Sequence, residues 1–90
     1  MRKIYCINYD LNNPGQNYEK LIAEIKSCGD WCEIMKSSWL ICTSLSASAI
    51  YNNLKKSLDS NDYILISHLD SDYYGYLKKG IWTWITSYQE

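Results

Sequence analysis

Four short apolar segments, separated by two stretches with helical periodicity, limit the folds open to this 90-residue chain. Each apolar segment is rich in β-branched and aromatic residues and ends at turn residues, which is typical of a strand. The predicted strands are residues 3–10, 30–36, 38–44 and 63–69. Between them, apolar side chains recur at helical spacing over residues 18–28 and 47–58. The predicted order is therefore β-α-β-β-α-β.

This order of elements is that of the split βαβ motif, and it predicts an α+β ferredoxin-like fold. We expect an antiparallel sheet with two helices on one face, and right-handed crossovers would put the first and third strands in the middle. Residues 1–90 are interpreted as a single domain, because the length suffices for one modest core. Residues 1–69 form its core, and residues 70–90 form a C-terminal aromatic extension with a short helix from about Leu77.

The limits of the two helices in the core are indicated by individual residues. Asn17 and Ser46 directly precede the helical patterns and are residue types that cap helix N-termini. Gly29 follows the first pattern, where a glycine commonly closes a helix.

The predicted strands alternate only weakly between apolar and polar residues. The first strand has Tyr5 and Ile7 on one side but also Ile4 and Cys6 on the other. A sheet with one solvated face would show a clear alternation, so a second layer is expected to cover the second face. The extension can supply that layer, but a second copy of the chain is the more economical source. We therefore predict a homodimer.

Composition narrows the functional classes. Nine basic and ten acidic side chains give a formal charge of −1, which does not favour a strong nucleic-acid binder. No apolar segment approaches the length of a membrane span, and no signal peptide is recognised, so a soluble cytoplasmic protein without a membrane partner is expected. The four cysteines lie in apolar runs or in a lone C-x3-C, and structural thiols are favoured over metal or redox use.

Carboxylates at one end of the predicted sheet are the candidate metal ligands. Asp10 ends the first strand, and the antiparallel topology puts the start of the fourth strand, with Asp62, beside it. Two carboxylates there would suit Mg²⁺ or Mn²⁺, which could activate water against a phosphodiester. The alternative is that Asp10 accepts hydrogen bonds from the turn that follows it. Ser37 and Ser38 fall at the same rim as candidate nucleic-acid contacts, whereas His68, the one histidine, falls at the opposite end.

Several motifs within residues 4–69 also carry a family resemblance. They are the opening "IYCINYDLN", a "PG" and Tyr loop, a Trp after the first helix and a third strand beginning "SSWL". With these four motifs, the chain resembles a family of small bacterial proteins often labelled SinR-like. More distantly, the first strand ending in Tyr-Asp resembles the CRISPR-associated Cas-two proteins and the virulence-associated D toxins. The resemblance implies a ferredoxin-like dimer in which Asp10 of each protomer holds a divalent ion near the twofold axis. The arginine-rich surface of the Cas-two family is missing, since Arg2 is the one arginine.

Two functions are therefore expected. The first is a Cas-two-like dimer that acts as a Mg²⁺- or Mn²⁺-dependent endoribonuclease or associates with RNA or DNA, with Asp10 as the catalytic ligand. The second is a non-catalytic homodimeric protein-interaction module that uses aromatic residues of the extension. Those residues are Tyr73, Tyr74, Tyr76, Trp82 and Trp84.

Overall fold

The computed structural model describes residues 1–13 and 18–89. Its elements are β1 (Lys3–Asp10), α1 (Glu19–Ser27), β2 (Asp30–Met35), β3 (Ser38–Thr43), α2 (Ala47–Leu54) followed by a 3₁₀ turn (Lys55–Ser57), β4 (Tyr63–His68) and α3 (Lys79–Tyr88). All four strands and both core helices lie where the sequence predicts them, and α3 is the helix expected in the extension.

The four strands form one antiparallel sheet in the order β2-β3-β1-β4, so β1 and β3 are central. Asp10 at the end of β1 lies opposite Tyr63 at the start of β4, and Asn8 lies opposite Ser38. His68 is paired with Tyr5 near the start of β1. The sheet end that carries Asp10 is therefore not the end that carries His68.

The first core lies between one sheet face and helices α1 and α2. Alternate residues of the two central strands point into it, as the period-2 rule requires. The buried members are Tyr5, Ile7, Trp39 and Ile41 from the strands, Leu21, Ile25, Ile50 and Leu54 from the helices, and Cys28, which directly follows α1. The helical members are spaced four apart, so each helix presents one apolar stripe to the sheet.

The second sheet face carries a second core, and α3 forms its cover. Ile81 and Ile85, one turn apart on α3, are buried against Ile4, Leu40 and Cys42 of the sheet. This part of the face is therefore covered by the chain's own extension. The sequence analysis named that source but preferred a second copy of the chain. The i and i+4 spacing of the two isoleucines gives α3 the single apolar stripe that makes this contact.

The predicted N-cap at Ser46 is confirmed, because its hydroxyl accepts a hydrogen bond from the Ala49 amide at 3.2 Å. Such a cap stabilises a helix by about 1 kcal/mol. The predicted cap at Asn17 and the loop residues 14–17 lie outside the described residues. Gly29 follows α1 where the chain approaches β3 so closely that a Cβ would lie 2.2 Å from the Cys42 carbonyl oxygen.

None of the four cysteines, all of which lie in the described ranges, forms a disulfide. Burial raises the pKa of Cys6, Cys28 and Cys32, so these thiols remain protonated at neutral pH. In residues 1–13 and 18–89, no helix has the length and apolar character needed to cross a membrane.

Candidate functional site

Asp10 is an exposed carboxylate at the end of a central strand. Its backbone carbonyl accepts a hydrogen bond from the Asn12 side-chain amide at 3.3 Å. Its carboxylate accepts no hydrogen bond from any residue that the structure describes. The alternative interpretation was that this carboxylate accepts hydrogen bonds from backbone amides of the turn after β1. The described part of that turn, residues 11–13, donates none to it.

Asp62, the second candidate ligand, is engaged in holding two loops together. Its carboxylate accepts hydrogen bonds from the backbone amides of Asn12 at 2.9 Å and Asp59 at 2.7 Å. The Tyr18 hydroxyl donates to both of its oxygens, at 2.8 and 3.0 Å. Asn12 also donates its side-chain amide to the Asn61 carbonyl at 3.1 Å. Asp62 thus fastens the loop after β1 to the turn before β4.

These contacts change the ionisation of both partners. Partial desolvation raises the pKa of Asp62, but hydrogen bonds from Asp59, Asn12 and Tyr18 to the charged form outweigh it and leave this pKa below its ordinary value. The pKa of Tyr18 is raised, first by desolvation and then by its bond to Asp62. Both shifts favour the charged carboxylate paired with the neutral phenol.

The described residues of the chain contain no cluster of metal-ligating side chains. Among them, no three His, Cys, Asp or Glu side chains are grouped so that they could hold a metal ion. Mg²⁺ and Mn²⁺ require several oxygen ligands, and the carboxylate of Asp62 already accepts protein hydrogen bonds. A single exposed carboxylate, Asp10, provides too few ligands for either ion within a single chain.

The two serines expected at the rim differ in accessibility. Ser38 is buried, and its hydroxyl donates to the Asn8 side-chain oxygen at 2.6 Å. Asn8 in turn donates to the Cys6 sulfur at 3.4 Å. Ser37 is exposed, and its carbonyl accepts the Tyr9 amide at 3.0 Å, which extends the pairing of β1 with β3. Of the two serines, Ser37 is therefore the accessible one.

The aromatic residues of the extension divide into two groups. Tyr73, Trp82 and Trp84 are partly buried against the second core. Tyr74 and Tyr76 are fully exposed, at 100% and 102% of their reference areas. These two tyrosines border a largely apolar cleft of about 250 Å³ between the extension and the second sheet face.

A second exposed apolar pair lies on β4, and the sequence analysis did not single it out. Tyr63 and Leu65 are 70% and 67% exposed. Register places them opposite Asp10 and Asn8, on the sheet face that α3 covers elsewhere. The weak alternation of β4 was visible in the sequence, but which of its two apolar sides stays uncovered depends on where α3 lies.

Together, residues 1–13 and 18–89 define a small α+β protein with a four-stranded antiparallel sheet, three α-helices and an exposed aromatic segment. No protein-family model matches the sequence, and no curated protein matches it. Among solved structures, the chain is similar to a hypothetical protein TT1823 from Thermus thermophilus, with a TM-score of 0.63 and 18% sequence identity. The alignment covers 86% of this chain and 95% of that one. At this identity the likeness concerns the fold alone.

Proposed function

We propose that this chain is a ferredoxin-like protein of the SinR-labelled type, more distantly similar to the Cas-two family, that acts as a non-catalytic homodimeric interaction module. The ferredoxin-like assignment is supported by the strand order β2-β3-β1-β4 with α1 and α2 on one face. It is also supported by the similarity to the Thermus protein, which covers most of both chains.

The observation that carries the functional proposal is the full exposure of Tyr74 and Tyr76 beside an apolar cleft. Their neighbours in the extension, Tyr73 and Trp82, are partly buried against the second core and are therefore less exposed than these two tyrosines. Tyrosine supplies a large contact area and a polar tip, and it is enriched at the buried centres of protein interfaces. Tyr74 and Tyr76 are therefore the contacts that we assign to a partner protein.

A photo-crosslinking residue at position 74 or 76 tests this assignment in the producing cell. If Tyr74 and Tyr76 contact a partner protein, we expect discrete cross-linked products from both positions. The matched control is the same residue at Tyr51, an exposed tyrosine on α2 on the other side of the sheet. Equal cross-linking from Tyr51, or none from positions 74 and 76, would reject the assignment.

A metal-dependent endoribonuclease is the second candidate, and the exposed carboxylate of Asp10 is the observation that favours it. It requires Asp10 from two protomers, since one protomer offers too few ligands. The test is cleavage of single-stranded RNA in Mn²⁺ by the wild type, Asp10→Asn and the control Asp72→Asn. Cleavage that Asp10→Asn alone abolishes would establish the nuclease. Equal background cleavage in all three proteins would reject it.

A further inference from the structure

The two edges of the sheet differ in how they are protected against pairing with another strand. Natural edge strands usually carry charges, bulges or prolines that prevent such pairing. β2 has two of these devices, because it carries Asp30 and Glu33 and its pairing with β3 is irregular between Glu33 and Met35. β4, with the sequence YILISH, has no Asp, Glu, Lys, Arg or Pro, and its pairing with β1 is regular over all six residues.

The backbone groups on the outer side of β4 can be identified from the register. The Leu69 amide donates to the Ile4 carbonyl at 2.9 Å, which makes these two residues a hydrogen-bonded pair. Such pairs alternate along an antiparallel ladder. The backbone groups of Ile64, Ile66 and His68 therefore point away from β1. Within the described ranges, these groups form no hydrogen bond.

We infer that the homodimer proposed above forms by antiparallel pairing of β4 with β4 of a second copy, which gives one continuous eight-stranded sheet. A twofold axis at Ile66 pairs Ile66 with its own equivalent and Ile64 with His68 of the second copy. This register uses all three outward residues. If the twofold axis were shifted to Leu65, His68 would pair with Asp62 of the second copy. The Asp62 amide is not free for this pairing, because it already donates to the Asp59 carbonyl.

The side chains agree with this register. An isologous interface must be self-complementary. The one ionisable acidic or basic side chain of β4, His68, lies opposite Ile64 of the second copy in this register and does not meet its own equivalent. On the face that carries Tyr63, Leu65 lies opposite Ser67 of the second copy. The exposed area of Leu65 would thus become partly covered at the centre of the interface.

Edge pairing also bears on the two candidate functions. Asp10 lies beside Tyr63 in each copy. In the proposed register, Tyr63 of one copy lies opposite Leu69 of the second copy, and that Leu69 is six residues along the strand from the second copy's own Tyr63. The two Asp10 carboxylates are therefore at least about 20 Å apart along the strands and cannot share one ion. The inference rests on the proposed homodimer and favours its non-catalytic form.

Paired charge variants test the interface by sedimentation velocity over a micromolar concentration series. Leu65→Lys/Ser67→Lys places lysines opposite lysines, and its dimer should be at least about tenfold weaker, because like charges directly opposite are destabilising. Leu65→Lys/Ser67→Glu places opposite charges face to face, and it should remain a dimer. Tyr51→Lys/Asn52→Lys adds the same charge on α2, where both residues are exposed, and should sediment as the wild type does.

Amide hydrogen exchange on the wild type provides a readout that needs no variant. Dimerisation should slow exchange at Ile64, Ile66 and His68 as the concentration rises, while the outward amides of β2 stay unchanged. A wild-type dimer without this protection, or a folded Leu65→Lys/Ser67→Lys variant that dimerises normally, would overturn edge pairing and leave the homodimer standing. A wild type that stays monomeric would overturn both.

Discussion

The Tyr18 hydroxyl lies 2.8 Å from Oδ1 and 3.0 Å from Oδ2 of Asp62, and it donates a hydrogen bond to this carboxylate. Tyr18 directly precedes α1 and Asp62 directly precedes β4, so the contact joins segments that are 44 residues apart. Asp62 is thereby a structural residue, and Asp10 is the accessible carboxylate at this end of the sheet.

Replacement of Asp62 by alanine is expected to destabilise the fold, because the amides of Asn12 and Asp59 and the Tyr18 hydroxyl lose their acceptor. Asp62→Asn retains one acceptor oxygen and should have a smaller effect. Thermal unfolding followed by circular dichroism measures both. Asp72→Ala, at an exposed position in the extension, is the control and should melt with the wild type. Equal melting temperatures for Asp62→Ala and the control would contradict the role of Asp62.

Stability should also depend on pH through Asp62. Because its pKa is lowered in the folded state, its contribution is fully present above the ordinary aspartate pKa of about 4. The contribution is lost as the pH falls through the lower, folded-state pKa. Urea unfolding of the wild type and Asp62→Asn between pH 7 and pH 2 should give curves that converge at the acid end. A difference in unfolding free energy that stays constant over this range would contradict the lowered pKa.

The helix α3 is expected to be part of the fold. Ile85 is 3% exposed and packs on the second core, so Ile85→Ala should lower the free energy of unfolding by about 2–5 kcal/mol. Thr83→Ala, on the exposed side of the same helix, should change it by less than about 0.5 kcal/mol. Chemical denaturation compares the two variants. If they proved equally stable, α3 would not be the cover of the second face.

Two glycines form a matched pair that tests the backbone geometry. Gly29→Ala would place a Cβ against the Cys42 carbonyl oxygen and should cost about 1–3 kcal/mol, as overpacking does. A Cβ at Gly80, in the first turn of α3, meets nothing within 4 Å. Gly80→Ala should therefore raise stability by about 0.5–1 kcal/mol through helix propensity. The prediction fails if the two substitutions have effects of the same sign and size.

The elements of this fold could be predicted from the sequence because each depends on local pattern. Apolar runs rich in β-branched and aromatic residues indicated the four strands, and Ser46 marked the start of α2 through its own side chain. The cover of the second face was ambiguous, since Ile81 and Ile85 form a short stripe that suits either the chain's own sheet or another surface. Their burial in one cluster with Ile4, Leu40 and Cys42 distinguishes the two.

The candidate site was less predictable for a related reason. Spacing placed Asp10 and Asp62 at the same end of the sheet, and the register puts Asp10 beside Tyr63, the residue after Asp62. Which of the two carboxylates accepts hydrogen bonds from the protein depends on Tyr18 and Asn12. Their contacts with Asp62 span more than 40 residues of sequence. Periodicity carries no information on such long-range hydrogen bonds. The exposure of Tyr63 and Leu65 was hidden for the same reason, because it depends on the path of α3.

Sedimentation velocity of the wild-type chain from low to high micromolar concentration tests the homodimer most directly. The account predicts a species with twice the mass of one chain, populated increasingly as the concentration rises. A single species with the mass of one chain at high micromolar concentration would contradict it.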